Sequence, residues 1–220
     1  MSAPLGILGG TFDPVHFGHL RLAEEAAEIL GLERVRWIPA GLPWHRNAPL
    51  ASADHRREMV RLAIARNPRF ELDDAEIRQS SPSYTVETLA RLRRELGATR
   101  PLVVLLGSDA FGGLESWHRW REVFALAHIF VAQRPGHALD PAGPPPALAA
   151  EWRKRAGTID ALAAKPGGSI VTHATTALDI SASAIRAQLA ARRSPRYLLP
   201  AAVLDYIAAH RLYAHEESQT

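Results

Sequence analysis

The sequence contains no cysteine, which excludes disulfide bonds and every metal site built on thiolate ligands. Lysine is almost absent, since only Lys154 and Lys165 occur among the 26 basic residues and the other 24 are arginines. The formal net charge is +3, but the arginines are dispersed and form no basic tail. This balance suits anionic partners, and phosphorylated metabolites explain it as well as nucleic acid would. The sequence contains no cluster of basic residues interleaved with aromatic residues, so it does not support nucleic-acid binding.

Long apolar runs are also missing. No stretch approaches the roughly 20 apolar residues that a membrane span requires, and the first residues lack the basic start of a signal peptide. We therefore expect a cytoplasmic protein that does not enter the membrane. The 220 residues, 47% of them hydrophobic, are enough for one sizeable domain with a packed core. The oligomeric state is left open, with a homodimer as one option.

Apolar segments alternate with helical patterns along the chain. Strands are predicted at 4–8, 35–39, 70–72, 102–106, 129–133 and, at a sheet edge, 170–172. Helices are predicted at about 18–30, 53–66 with Ser52 as its N-cap, 85–96, 151–164, 183–191 and 201–210. The alternation predicts an α/β fold with a doubly wound, mainly parallel sheet and helices on both faces. The wholly apolar strand 102–106 should be central. Prolines predict a loop at 136–146, and 181–213 should form a C-terminal helical portion.

The densest motif of the sequence lies where the first predicted strand meets the first helix. It runs from Gly9 to His19 and reads GGTFDPVHFGH. Ligands bind at this position in open α/β sheets, and a helix N-terminus presents N–H groups to phosphate. Gly9, Gly10 and Gly18 would let a phosphate approach the backbone. His16 and His19, three residues apart, should project to one side of the helix. Taken singly, a glycine pair in a turn or a lone histidine is more often structural.

Two further polar segments are candidates for the same site. Gly107-Ser108-Asp109 follows the central strand, so the turn should lie at the same carboxyl edge of the sheet as the first motif. The stretch 179–186, DISASAIR, places serines at the start of a helix, where a side chain can cap the helix and bind phosphate. Arg186 lies three residues after Ser183, on the same side. By composition alone Trp117 is more typical of a core residue, and Trp120 is expected to pack in the core.

The tetrad His16-Phe17-Gly18-His19 resembles the H-x-G-H signature of the nucleotidyltransferase α/β-phosphodiesterase superfamily. The spelling of the whole first motif is similar to that of bacterial nicotinate-nucleotide adenylyltransferases, and other motifs of that family recur in order as far as about Tyr213. They are PWHR at 43–46, with Arg46 where lysine is usual, SYTVET at 83–88, GSD at 107–109, LESW at 114–117, QRPG at 133–136 and DISASAIR at 179–186, with Ala182 and Ser183 in place of serine and threonine. The resemblance implies one Rossmann-like nucleotidyltransferase domain over 1–220.

The resemblance also implies an activity, namely transfer of AMP from ATP to nicotinate mononucleotide with release of pyrophosphate in NAD biosynthesis. It assigns catalysis to His16, His19, Arg46 and Arg186. It assigns ATP contacts to Gly9, Gly10, Thr11, Phe12, Gly18, Gly107, Asp109, Arg134, Ile180, Ser181 and Ser183. It assigns mononucleotide contacts to Tyr84, Thr85 and Trp117, the last by stacking on the pyridine ring. Mg²⁺ is expected to arrive with ATP, with no metal held by the protein alone.

Direct in-line transfer is the expected mechanism, because the sequence has no cysteine and no serine in a nucleophile elbow. Two alternatives stay open at this point. The first is adenylyl or cytidylyl transfer to another phosphorylated acceptor, such as nicotinamide mononucleotide or phosphopantetheine. The second is a non-catalytic, nucleotide-binding regulatory protein.

Overall fold

The structure is a computed structural model and describes residues 3–43, 48–79, 81–133, 143–176 and 178–214. Within these ranges the strands are β1 (Leu5–Gly10), β2 (Arg34–Pro39), β3 (Leu42–Pro43), β4 (Phe70–Leu72), β5 (Pro82–Ser83), β6 (Leu102–Gly107), β7 (His128–Gln133) and β8 (Ile170–Ala174). The helices are α1 (Phe17–Ile29), α2 (Ala53–Ile64), α3 (Thr85–Leu96), α4 (Ser108–Gly112), α5 (Trp120–Leu126), α6 (Pro146–Arg155), α7 (Asp160–Ala164), α8 (Ala182–Ala190) and α9 (Ala201–Ala209). A 3₁₀ turn covers Leu114–Ser116.

Six strands form one parallel sheet in the order β4-β2-β1-β6-β7-β8. The strand order reverses between β1 and β6, which makes the sheet doubly wound, as the alternation of strands and helices predicts. The predicted central position of β6 and edge position of β8 are both confirmed. A separate parallel pair, β3 with β5, has no counterpart in the sequence-based prediction.

Hydrophobic cores cover both faces of the sheet. Residues of α1, α2, α8 and α9 pack on one face, and residues of α3, α5 and α6 pack on the other. Strand β6 contributes side chains to both cores. Val103 and Leu105 belong to the core under α1 and α2, and the core under α3 and α5 contains Leu102, Val104 and Leu106. Burial on both faces is the physical reason for its unbroken apolar run.

The helix predicted over 151–164 is wrong in extent, because the chain forms α6 and α7 with a break between them. In the break, Ala156 bridges to Ile170, and the N–H of Gly157 donates to the carbonyl of Ile170 at 3.0 Å. Pairing with β8 therefore replaces the helical hydrogen bonds. Of the predicted loop 136–146, residues 136–142 lie outside the described ranges, and α6 begins at Pro146.

The carboxyl edge of the sheet opens at the point where the strand order reverses. Strands β1 and β6 pair only from Leu5 to Ile7 on the β1 side. Beyond Ile7 each strand pairs with its outer neighbour, so Gly10 lies opposite Pro39 and Gly107 lies opposite Ala132. The crevice between Gly10 and Gly107 is therefore flanked by the two polar turns that the sequence singled out. In the described residues, no helix is long and apolar enough to cross a membrane.

Candidate active site

The glycine turn, residues 9–16 at the junction of β1 and α1, forms one wall of the crevice. The space around Gly9 is open, since among the described residues, its own chain neighbours aside, no atom lies within 4 Å of the position that a Cβ would take. A Cβ on Gly10 would lie 3.0 Å from the ring of Phe12. Phe12 has a positive φ of 51° and a ring that is only 2% exposed, and this ring packs against His19 and Trp37. The Phe12 ring is therefore closed to a ligand.

His16 and His19 lie together at the start of α1, with ring centroids 3.7 Å apart. The backbone N–H of His16 donates to Nδ1 of His19 at 3.2 Å. Because a backbone N–H can only donate, Nδ1 of His19 carries no proton and the ring proton is on Nε2. His16 is buried, and desolvation lowers its pKa to about 4, so its ring is neutral at neutral pH.

Gly18 fits between these histidines for a reason that the sequence did not reveal. A Cβ there would lie 3.0 Å from Nδ1 of His16 and 3.7 Å from the carbonyl oxygen of Ile180. The absent side chain thus makes room for the His16 ring and for the segment that precedes α8. The sequence-based prediction, that the glycine makes room for phosphate, does not include this packing role.

The N-terminus of α8 meets the glycine turn from the far end of the chain. Nη1 of Arg186 donates to the carbonyl of Asp13 at 2.6 Å, and Nη2 donates to Oγ of Ser183 at 3.3 Å. Ser181 caps the helix, since its Oγ accepts from the N–H of Ala184 at 3.1 Å. The helix start predicted at Ser183 is therefore one residue too late. Ser181 and Ser183 are both exposed beside the turn.

Asp13 is a residue that sequence reasoning missed, although it stands inside the first motif. Its side chain is buried, and it accepts hydrogen bonds from the N–H groups of Leu50 and Ala51 at 2.9 and 3.1 Å. The hydroxyl of Tyr213 donates to the same carboxylate at 2.6 Å. Burial, together with Asp13, raises the pKa of Tyr213 above its ordinary value, so the hydroxyl keeps its proton. Asp13 thus joins the turn to the C-terminal part of the chain.

The Gly107-Ser108-Asp109 turn forms the opposite wall. The surroundings of Gly107 are open within the described residues, and Asp109 lies exposed in the first turn of α4. Oγ of Ser108 donates to the carbonyl of Ala132 at 3.0 Å, which ties the turn to the end of β7. Backbone and carboxylate are both accessible to a ligand here.

Tyr84, Thr85 and Trp117 lie near each other on the α3 side of the sheet. Tyr84 is the residue before α3, which begins at Thr85. Its ring lies 4.4 Å from that of His118, an exposed residue that sequence reasoning missed. Trp117 is partly buried against the same core as Tyr84. Trp120 is only 8% exposed and is a core residue, as predicted.

Arg46 and Arg134 lie outside the described residues. The structure therefore gives no position for these two sequence-predicted cations. Within the described ranges, no group of three or more histidine or carboxylate side chains is arranged to hold a metal ion.

The family pattern of cytidylyltransferase-like proteins matches residues 7–188, a span that runs from β1 to α8 and includes every described crevice residue. The chain belongs to this family. A relative from Dechloromonas aromatica, named "Probable nicotinate-nucleotide adenylyltransferase", is 58% identical over 214 residues, 97% of this chain and 99% of the relative. A relative of the same name from Acidithiobacillus ferrooxidans is 47% identical over 213 residues, 95% of each chain. The resemblance read from the motifs is thus confirmed.

Solved structures show the same fold at low sequence identity. The Plasmodium falciparum nicotinic acid mononucleotide adenylyltransferase complexed with NaAD matches with a TM-score of 0.74 at 17% identity, over 96% of this chain and 98% of that one. The same enzyme complexed with APC matches with a TM-score of 0.70 over the same shares. At this identity the likeness supports the fold alone.

The crevice of this cytidylyltransferase-like chain gathers hydrogen-bond donors on one side. They are the exposed backbone of the glycine turn, Nε2–H of His19, the guanidinium of Arg186 and the N-terminus of α8. Such donors suit the oxygens of a phosphate chain. They are also placed to stabilise negative charge that develops on those oxygens during phosphoryl or nucleotidyl transfer.

Proposed function

We propose that this chain transfers AMP from ATP to nicotinate mononucleotide, giving nicotinate adenine dinucleotide and pyrophosphate. One observation carries the proposal. Arg186 and the Asp13 carbonyl, 173 residues apart in sequence, lie 2.6 Å from each other, and this contact brings the last phosphate motif onto the turn that leads into α1 and His19. The names of the relatives that match nearly the whole chain support the choice of substrates.

The reaction needs no covalent intermediate. A phosphate oxygen of the mononucleotide attacks the α-phosphorus of ATP, the bond from that phosphorus to the bridging oxygen breaks in line, and pyrophosphate leaves. Nε2–H of His19 and the guanidinium of Arg186 donate to the oxygens that gain charge. His16 stays neutral and orients His19 through ring stacking and its backbone N–H. Arg46 and Arg134 are proposed as additional phosphate contacts.

ATP takes the crevice between the two polar turns. Its phosphates lie along Gly9, Gly10, the backbone of Thr11 and Phe12, and the exposed serines at the α8 N-terminus, while Gly107 and Asp109 contact the adenosine. Mg²⁺ enters with ATP, because magnesium prefers oxygen ligands such as those of the phosphates, whereas imidazole and guanidinium donors bind the phosphates themselves.

The mononucleotide takes the α3 side of the crevice. Trp117 stacks on the pyridine ring, and the N-terminus of α3, at Tyr84 and Thr85, favours the nicotinate carboxylate because a helix N-terminus attracts anions. The amide of nicotinamide mononucleotide lacks this charge. The acid is therefore the proposed substrate, and it should be used with a higher kcat/KM than the amide.

Pyrophosphate release tests the proposal directly. The protein is incubated with ATP, Mg²⁺ and one acceptor at a time: nicotinate mononucleotide, nicotinamide mononucleotide, phosphopantetheine or none. CTP in place of ATP tests the alternative nucleotide. We expect the highest kcat/KM with ATP and nicotinate mononucleotide, with the dinucleotide identified by mass. Release with phosphopantetheine alone would overturn the substrate, and binding of ATP without any release would favour a regulatory protein. Cytoplasmic location and oligomeric state stay predictions.

A further inference from the structure

Arg56 is a charged side chain in the buried face of α2, where only apolar residues are expected. It is 1% exposed and lies among Met59, Val60 and Ile64 on that face. The proposed reaction gives Arg56 no role, because its buried guanidinium cannot contact a ligand in the crevice. A guanidinium can be buried at low energetic cost only if its N–H groups find acceptors.

The acceptors of Arg56 are four backbone carbonyls from three segments. Nη1 donates to Thr11 at 2.8 Å and Ala40 at 2.6 Å, Nη2 donates to Gly41 at 3.0 Å, and Nε donates to Ala51 at 3.3 Å. Thr11 belongs to the glycine turn, whereas the other three are the two ends of the connection between β2 and α2. One planar fork therefore holds all three segments at fixed spacing.

Asp13 makes the complementary set of contacts with backbone N–H groups. Its carboxylate accepts from the N–H groups of Leu50 and Ala51 at the far end of the same connection. At the near end a backbone hydrogen bond does the same, since the N–H of Ala40 donates to the carbonyl of Gly10. Asp13 also opposes the burial-driven fall in the pKa of Arg56, so the two buried charges act on each other. Arg56 and Asp13 therefore connect the glycine turn to both ends of the β2–α2 connection.

We propose that Arg56 and Asp13 are positioning residues for nucleotidyl transfer, which fix the glycine turn relative to α8 and the β2–α2 connection. This inference rests on the proposed function, because it concerns the turn that receives the ATP phosphates. Neither side chain touches the reacting atoms. They act through the Thr11 carbonyl and through the Asp13 carbonyl, to which Arg186 donates.

Arg56→Lys is the informative variant, because an ammonium keeps the charge but cannot reproduce the fork that spans four carbonyls. Misplacement of reacting groups by about 1 Å can cost on the order of 10²-fold in rate, so we expect kcat to fall by about 10- to 100-fold. KM for ATP should rise, and KM for the mononucleotide should stay unchanged, because Tyr84 and Trp117 lie on another core. Rates are measured well below the melting temperature of each variant and per mole of folded protein.

Arg61→Lys is the matched control, since Arg61 lies on the same helix with an exposed guanidinium paired to Glu58. It should leave kcat and both KM values unchanged. Asp13→Asn is the second variant, and it places an amide N–H₂ against the Leu50 or Ala51 donors. Asp13→Asn should show the same ATP-selective defect. It therefore tests the proposal even if Arg56→Lys is poorly folded. A lowered melting temperature with normal kcat and KM in both variants would overturn the proposal, because it would mean that the pair only stabilises the fold.

A double-mutant cycle with Arg186→Lys gives a second measurement. Arg186 donates to the Asp13 carbonyl of the glycine turn. If Arg56 acts through the same turn, the combined loss in kcat should be smaller than the product of the single losses. Fully multiplicative losses would contradict a shared turn. A wild-type protein that releases no pyrophosphate would count against the proposed function only. The rise in melting temperature on addition of ATP then replaces kcat as the readout, and it should be smaller in Arg56→Lys than in Arg61→Lys.

Discussion

Replacing Trp117 by alanine separates a ligand contact from core packing, because Trp120 offers a matched control three residues away. Trp117 is partly buried beside the start of α3, whereas Trp120 is 8% exposed and packs edge-on to Phe124 at 6.0 Å. The two indoles therefore share a side-chain type and a local segment but differ in what surrounds them. If Trp117 stacks on the pyridine ring, its loss should affect one substrate only.

The expected magnitude follows from the size of a stacking contact. Stacked aromatic pairs contribute roughly 0.5–1.5 kcal/mol beyond area burial, and each 1.4 kcal/mol is about tenfold in affinity. With the lost contact area included, KM for the mononucleotide should rise about threefold to thirtyfold in Trp117→Ala. KM for ATP should barely change, and kcat should stay close to wild type because binding is lost equally in ground and transition states.

Trp120→Ala should behave in the opposite way. Truncation of a buried tryptophan commonly costs about 3–5 kcal/mol, which in a protein of this size lowers the melting temperature by roughly 6–20 °C. Neither KM should change selectively. Both Michaelis constants and the thermal midpoint are measured on both variants. A Trp117→Ala protein with a lowered midpoint and two unchanged KM values would refute the stacking argument.

Three further predictions concern the histidines and the turn. His19→Ala and Arg186→Ala should each lower kcat by about 10²-fold or more, as loss of one preorganised donor commonly does, and wild-type turnover in either folded variant removes that residue from the mechanism. Gly18→Ala should lower kcat with only a small change in melting temperature, because the new methyl group displaces the His16 ring on which His19 stacks; unchanged kcat would show that the stacking is dispensable. The third prediction concerns pH. Burial lowers the pKa of His16 from 6.5 to about 4, so the stability that its neutral ring contributes is complete above pH 6.5 and is lost as the pH falls toward 4. The loss should be roughly 3 kcal/mol, measured by urea unfolding, and it should be absent from His16→Gln; parallel pH profiles for the two proteins would contradict it.

The sequence was sufficient for the features that depend on local pattern. Apolar runs and helical spacing identify the six strands of the main sheet, and the unbroken run of β6 identifies its central place, because burial on both faces leaves no polar side. The motifs identify the family, because the first one requires glycines and histidines at fixed spacing and the others follow it in the family's order. Both turns of the crevice follow from the rule for strand ends.

Only the tertiary structure decided which side chains are held from elsewhere in the chain. The break between α6 and α7 arises from pairing of Gly157 with β8, a contact that no helical propensity encodes. The burial of Phe12 and the ring stacking of His16 on His19 depend on packing against Trp37 and on the room at Gly18.

Asp13 and Arg56 show the physical reason most clearly. Their partners are backbone carbonyls and N–H groups up to 45 residues away, and in the case of Tyr213 a hydroxyl 200 residues away. Backbone groups are the same at every residue, so sequence carries no mark of which ones a buried charge will find. The types of residue at the site were set by the sequence, and the contacts that hold the site in shape were set by the fold.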